Sequence, residues 1–169
     1  MVMGLGYSLA GMMTWDLMRL IDYIETREDC DAERIGCGGF SGGGMQTIWL
    51  AALDDRVKCA VTSGYFYGVK EALLELCGNC GCNYVPNLWK YVDMGDMGAL
   101  IAPRPLLIEN GTKDKLNGKS GIENVKSQVE ITRQAYKLLG VKDRLYHHIH
   151  QGAHEWNGEK TIDFIKKWL

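Results

Sequence analysis

From Leu17 onward the apolar residues Leu17, Leu20, Ile21 and Ile24 recur three and four positions apart, the spacing that lines one face of a helix, and the stripe fades at Thr26-Arg27-Glu28-Asp29. The period then changes. Arg34-Ile35-Gly36-Cys37-Gly38-Gly39-Phe40 is short and bounded by turn residues, which predicts a strand running into a tight turn, and a helical stretch from Gly42 to about Leu53 follows it. Lys58-Cys59-Ala60-Val61-Thr62-Ser63, Pro105-Leu106-Leu107-Ile108-Glu109-Asn110 and Leu145-Tyr146-His147-His148-Ile149-His150 read as further strands. Helical stretches separate them, the clearest from Ile122 to Leu139 with apolar Ile122, Val125, Val129, Tyr136 and Leu139, and Ile162, Ile165 and Leu169 stripe a closing helix. Connections this long between strands suit crossovers, so the pattern predicts an α/β fold: about four mainly parallel strands flanked by helices. Ligands of such sheets bind beyond the carboxyl ends of the strands, so the informative residues follow each apolar run.

After the first strand stands Gly39-Phe40-Ser41-Gly42-Gly43-Gly44, a match to G-x-S-x-G between a strand and a helix. Glycines around a serine permit a turn too sharp for most residues, and the helix start behind it aims backbone N–H groups at any negative charge formed there. Gly42 supplies one such N–H; no second oxyanion donor is assignable from the sequence. A serine hydroxyl is a weak nucleophile near neutral pH and needs a histidine, itself oriented by a carboxylate. The third strand leads into Gly111-Thr112-Lys113-Asp114 and the fourth into Gln151-Gly152-Ala153-His154-Glu155-Trp156. Ser41, Asp114 and His154 therefore become the candidate catalytic residues, each from a different strand end. Glu109 is a rival for the acid, although its place within an apolar run suggests that it is paired or edge-facing; Asp93 and Asp96 are weaker. Alternation along the fourth strand puts His148 and His150 on one face and His147 on the other.

Composition narrows the picture without redirecting it. The chain has 169 residues, 46% hydrophobic and 24% charged, with a formal net charge of −2. Those values suit one domain over residues 1–169 and exclude a disordered tail, a fibre and a chain that coats nucleic acid by bulk positive charge. Charges interrupt every apolar stretch short of the ~18 residues that a membrane span needs, and the start lacks the positive charge of a signal peptide, so a cytoplasmic protein without nucleic-acid or membrane partners is expected. Cys77-Gly78-Asn79-Cys80-Gly81-Cys82 offers three thiolates with no clear fourth ligand. It reads as packed or redox-sensitive thiols, and neither metal nor cofactor is expected. Tyr65, Phe66, Tyr67, Tyr84, Trp89 and Tyr91 fit an acyl or aryl pocket and a plain core equally.

The runs Arg34 to Gly44, Ala51 to Lys58, Leu100 to Ile108 and Gly152 to Gly158 together resemble the α/β-hydrolase superfamily, in particular its dienelactone-hydrolase-like and acetylxylan-esterase-like serine esterases. The resemblance runs from about Gly11 to Leu169 with its segments in family order. It implies Ser41 as nucleophile, Asp114 as acid and His154 as base. It also starts at the helix before the nucleophile strand, so the equivalents of the first four of the usual eight strands, including the loop that donates the second oxyanion N–H, are absent. The expected function is a serine carboxylesterase acting on small or short-chain esters, with acetyl esters of carbohydrate among the candidates. A peptidase of the prolyl-oligopeptidase-like class and a catalytically dead remnant serving as a binding or assembly module are the alternatives. With the nucleophile strand at a bare sheet edge, a homodimer or higher homo-oligomer is expected.

Overall fold

The computed structural model describes residues 5–75 and 80–169. Among them, β1 (Ile35–Phe40), β2 (Val57–Ser63), β3 (Leu106–Gly111) and β4 (Leu145–His150) form one sheet in the order β1-β2-β3-β4, with every neighbouring pair parallel. The two inner strands carry the continuous apolar runs, and all six residues of β3 are buried. Removing Leu106, Leu107 and Ile108 from water stabilises the sheet by about 1.5–3 kcal/mol for each side chain. β1 lies at one edge and β4 at the other.

Helices α1 (Leu9–Glu25), α2 (Gly42–Leu53), α3 (Met94–Ile101) and α4 (Ile122–Leu138) build the larger core, where Ile21, Met45, Ile48, Met97, Val125 and Val129 join Ala60, Leu106 and Ile108. On the opposite face α5 (Thr161–Trp168) sets Phe164 against Cys59, Val61 and Leu107. Of the expected closing stripe, Ile165 and Leu169 pack against this cluster, whereas Ile162 is 59% exposed and Phe164 is the large buried side chain. Helix α1 starts earlier than its apolar stripe because the Ser8 hydroxyl accepts the Gly11 N–H at 3.0 Å and caps it. Several of its apolar side chains, Trp15 and Tyr23 among them, stay exposed. Helix α3, short and glycine-bearing, has no legible stripe. Asp93 and Asp96 define it through a capping box, which gives both carboxylates a structural task. No helix among the described residues is long and apolar enough to cross a membrane.

Two anchors hold these layers in register. The Arg104 guanidinium donates to the carbonyl oxygens of Ala51, Asp54 and Val57, closing the end of α2 onto the segment that enters β3. Tyr136 in α4 donates its hydroxyl to the Arg104 carbonyl oxygen at 2.6 Å.

The segment after β2 begins with Tyr65, Phe66 and Tyr67, all buried, whereas Tyr91 is 83% exposed, so the aromatic cluster divides between core and surface. Cys80 and Cys82 are joined as a disulfide, where the sequence suggested thiols; Cys77 lies outside the described residues. Asn83 follows, and its Oδ1 accepts the Tyr65 hydroxyl at 2.6 Å. Burial pushes the Cys37 thiol up to about 12 and the Cys59 thiol up to about 11, as expected of inert core cysteines.

His147 carries a pH dependence. Burial, reinforced by the positive charges of Arg133 and Lys126 and by His148, lowers it from 6.5 to about 4. Its neutral form is favoured by folding, so this contribution to stability is present above the unfolded value and is lost as pH falls from ~6.5 toward 4. The melting temperature should therefore decline across that window, and His147→Gln should flatten the decline. An unchanged slope in the variant would show that other groups carry it.

Candidate active site

The turn from β1 into α2 is sterically forced. A Cβ at Gly39 would overlap the Gly43 backbone, so only glycine lets the chain reverse here. Ser41 itself has φ 55° and ψ −116°, a backbone conformation that typically costs about 1–3 kcal/mol for a residue with a side chain. Its N–H donates to the Ser63 carbonyl oxygen at 2.9 Å, and its own carbonyl oxygen accepts the Met45 N–H at 2.9 Å. Those bonds hold the strained residue and present its hydroxyl beyond the sheet. Gly42 opens α2, so its N–H has no acceptor within the helix.

Asp114 is supplied by the loop after β3. Its side chain is almost fully buried; Oδ1 accepts the Leu116 N–H at 2.8 Å, and Oδ2 lies 2.7 Å from His154 Nδ1. The carboxylate is thus fixed from both sides. His154 comes from the loop after β4, and its Nε2 lies 2.8 Å from Ser41 Oγ. With the Nδ1 proton directed at the carboxylate, the Nε2 lone pair faces the serine hydroxyl. The imidazole packs against the Phe40 ring at a centroid separation of 4.6 Å and keeps 30% of its side-chain surface open to solvent. Gly64 makes room for both rings: its φ is +64°, and a Cβ there would stand 2.9 Å from Phe40 Cε2 and 3.2 Å from His154 Cε1.

The structure therefore brings Ser41, His154 and Asp114 into one hydrogen-bonded chain and puts the rivals elsewhere. The fully buried Glu109 accepts hydrogen bonds from Ser63 and from the backbone N–H groups of Asn157 and Gly158, and does not meet His154 Nδ1. His148 Nδ1 lies 3.4 Å from Glu109 Oε2, and His150 Nδ1 accepts the Gly152 N–H. His147 points to the other face, as the strand alternation predicts. Sequence reasoning missed what Glu109 binds. The available signal was a carboxylate within an apolar strand, and that shows pairing without naming a partner.

Comparison with known proteins places this arrangement. The chain is 31% identical, over 97% of its length, to YtaP of Bacillus subtilis, a protein put forward as a hydrolase, and covers 56% of it. Among solved structures, a protein of Bacteroides fragilis put forward as an acetyl xylan esterase superposes on 98% of the chain with a TM-score of 0.79 at 18% identity, the match covering 50% of that protein. A glucuronoyl esterase of carbohydrate esterase family 15 from Caldicellulosiruptor kristjansonii matches 92% of the chain with a TM-score of 0.75 at 22% identity, over 49% of its own chain. At such identities the structural likeness establishes the α/β-hydrolase fold, and the chain spans about half the length of the proteins it matches. The model of the Abhydrolase family matches residues 1–162, and with the strand order and the turn at Ser41 already described, the chain belongs to the Abhydrolase family.

Proposed function

We propose that the chain is a serine carboxylesterase that hydrolyses small esters through an acyl-enzyme. The observation that carries this reading is the continuous path from Ser41 Oγ to His154 Nε2 at 2.8 Å and from His154 Nδ1 to Asp114 Oδ2 at 2.7 Å. As Ser41 Oγ attacks the ester carbonyl, its proton passes to His154 Nε2, and the buried Asp114 carboxylate stabilises the imidazolium that results. The carbonyl oxygen becomes an oxyanion, which the Gly42 N–H receives. Collapse expels the alcohol, protonated from His154 Nε2. A water deprotonated by the same nitrogen then attacks the acyl carbon and returns Ser41. Acetyl esters of carbohydrate are the favoured substrates, since a protein sharing the fold is put forward as an acetyl xylan esterase; the glucuronoyl esterase of the same fold is also named as a carbohydrate esterase, with the sugar acid as the acyl group.

The same proposal includes self-association. β1 is a sheet edge directly before Ser41, and exposed Leu9, Met12, Trp15 and Tyr23 leave apolar surface on α1. A second copy docked along that edge would bring backbone N–H groups near Ser41, where a further oxyanion donor is needed. The test combines turnover of short-chain nitrophenyl esters, fluorophosphonate labelling with peptide mapping, and light scattering at micromolar concentration. Label on Ser41 and a dimer with activity that falls on dilution are expected. Absence of both turnover and label would displace the esterase reading, and a fully active 18.9 kDa monomer would remove the shared site.

A further inference from the structure

The registers of β1 to β4 align Phe40, Ser63, Glu109 and His148 in one row across the carboxyl rim of the sheet. Phe40 supports the His154 ring; the other three form a polar row beneath the loop that carries His154. Glu109 is its centre. A carboxylate with no exposed surface is costly unless hydrogen bonds replace its water, and both oxygens are served here. Oε1 accepts the Ser63 hydroxyl and the Asn157 N–H, each at 2.8 Å, while Oε2 accepts the Gly158 N–H at 2.9 Å and lies 3.4 Å from His148 Nδ1.

Those partners sit on both sides of the site. Ser63, whose hydroxyl donates to Glu109, uses its carbonyl oxygen to hold the Ser41 N–H. Asn157 and Gly158 form the far arm of the His154 loop, and the near arm is held by the bond from Lys113 N–H to the Gly152 carbonyl oxygen at 2.9 Å. Without the carboxylate, the loop is pinned on the Asp114 side and released on the other.

We propose that Glu109 is a positioning residue, which clamps the far arm of the His154 loop so that the imidazole keeps its place between Asp114 and Ser41. It touches neither substrate nor the reacting atoms. The proposal rests on the esterase reading for its kinetic test and on geometry alone for its structural one. In Glu109→Gln the amide keeps one acceptor oxygen for Ser63 and Asn157 but turns an NH2 group toward the Gly158 N–H, donor against donor.

The experiment measures kcat and KM of Glu109→Gln on a nitrophenyl ester, the low-field proton resonance of His154 Nδ1–H, and amide hydrogen exchange of the unaltered protein. Displacement of a catalytic group by a fraction of an ångström should lower kcat roughly 10- to 100-fold with KM held within about threefold. The His154 resonance should broaden or vanish in the variant while its circular dichroism stays that of the parent, and the Asn157 and Gly158 amides of the parent should be as slowly exchanging as those of β3. A folded variant with kcat within about twofold of the parent and a sharp His154 resonance would overturn the proposal. So would Asn157 and Gly158 amides that exchange at the rate of exposed loops, a result that decides the matter even if the variant does not fold. Failure of the parent to turn over any ester would count against the esterase reading, and the resonance and the exchange rates would still judge the clamp.

Discussion

Ser41→Ala and His154→Ala should each lower ester turnover by at least about 1,000-fold, the scale seen when a member of such a triad is removed. The reason lies in the path of one proton. His154 Nε2 stands 2.8 Å from Ser41 Oγ, close enough to accept the hydroxyl proton as the oxygen attacks, and no other histidine among the described residues bonds to that oxygen. Without the serine there is no acyl-enzyme; without the imidazole the hydroxyl must lose its proton to water. The double variant should be scarcely slower than either single one, because each change disables the same step. Ser41→Ala is expected to leave the melting temperature close to that of the parent, whereas His154→Ala should lower it, because the buried Asp114 carboxylate loses its partner. Ser41 already holds its strained backbone through main-chain bonds to Ser63 and Met45, and those do not involve its hydroxyl. Measuring kcat with a nitrophenyl acetate, together with fluorophosphonate labelling of the His154 variant, checks the claim. Either variant retaining more than about a tenth of the parent's turnover would remove that residue from the proposed mechanism.

The parts of the fold legible from sequence are those where one physical term dominates. β2 and β3 carry the short apolar runs Cys59-Ala60-Val61 and Leu106-Leu107-Ile108, buried in the sheet, and the turn at Ser41 is crowded enough that glycine is required beside it. These local signals suffice to find the four strands and to set Ser41, Asp114 and His154 beyond their carboxyl ends, although the order of the strands within the sheet comes from the structure. Capping and partnership were harder to read. Helix α3 is defined by Asp93 and Asp96, two carboxylates that without coordinates look like candidate acids. Of the stripe Ile162, Ile165 and Leu169, the last two pack against the cluster over Val61 and Leu107, but Ile162 is exposed and Phe164, outside the stripe, is the most buried side chain of α5. Glu109 shows the limit most clearly. Its burial could be inferred from its apolar neighbours, but its partners Ser63, Asn157 and Gly158 lie about 50 residues away in either direction and meet only through the strand register.

Asp114→Asn should be nearly as damaging as loss of the serine, and for a subtler reason. The present carboxylate accepts from Leu116 N–H at Oδ1 and from His154 Nδ1–H at Oδ2. In the amide, the oxygen that best replaces Oδ1 keeps the bond to Leu116 and leaves the NH2 group facing His154. Two donors cannot share that contact, so the neutral imidazole is driven to the tautomer that accepts at Nδ1 and carries its proton on Nε2. That proton then points at Ser41 Oγ, which meets a donor where it needs a base, while the imidazolium of the transition state loses its counter-charge. A drop in kcat on the order of 1,000- to 10,000-fold is expected, with KM little altered and the fold retained through the Leu116 bond. Glu109→Gln, by contrast, leaves the tautomer intact and should cost roughly 10- to 100-fold. The ordering of the two variants is therefore the decisive quantity. If Asp114→Asn kept most of the turnover and Glu109→Gln abolished it, the charge that orients His154 would have to be assigned to Glu109.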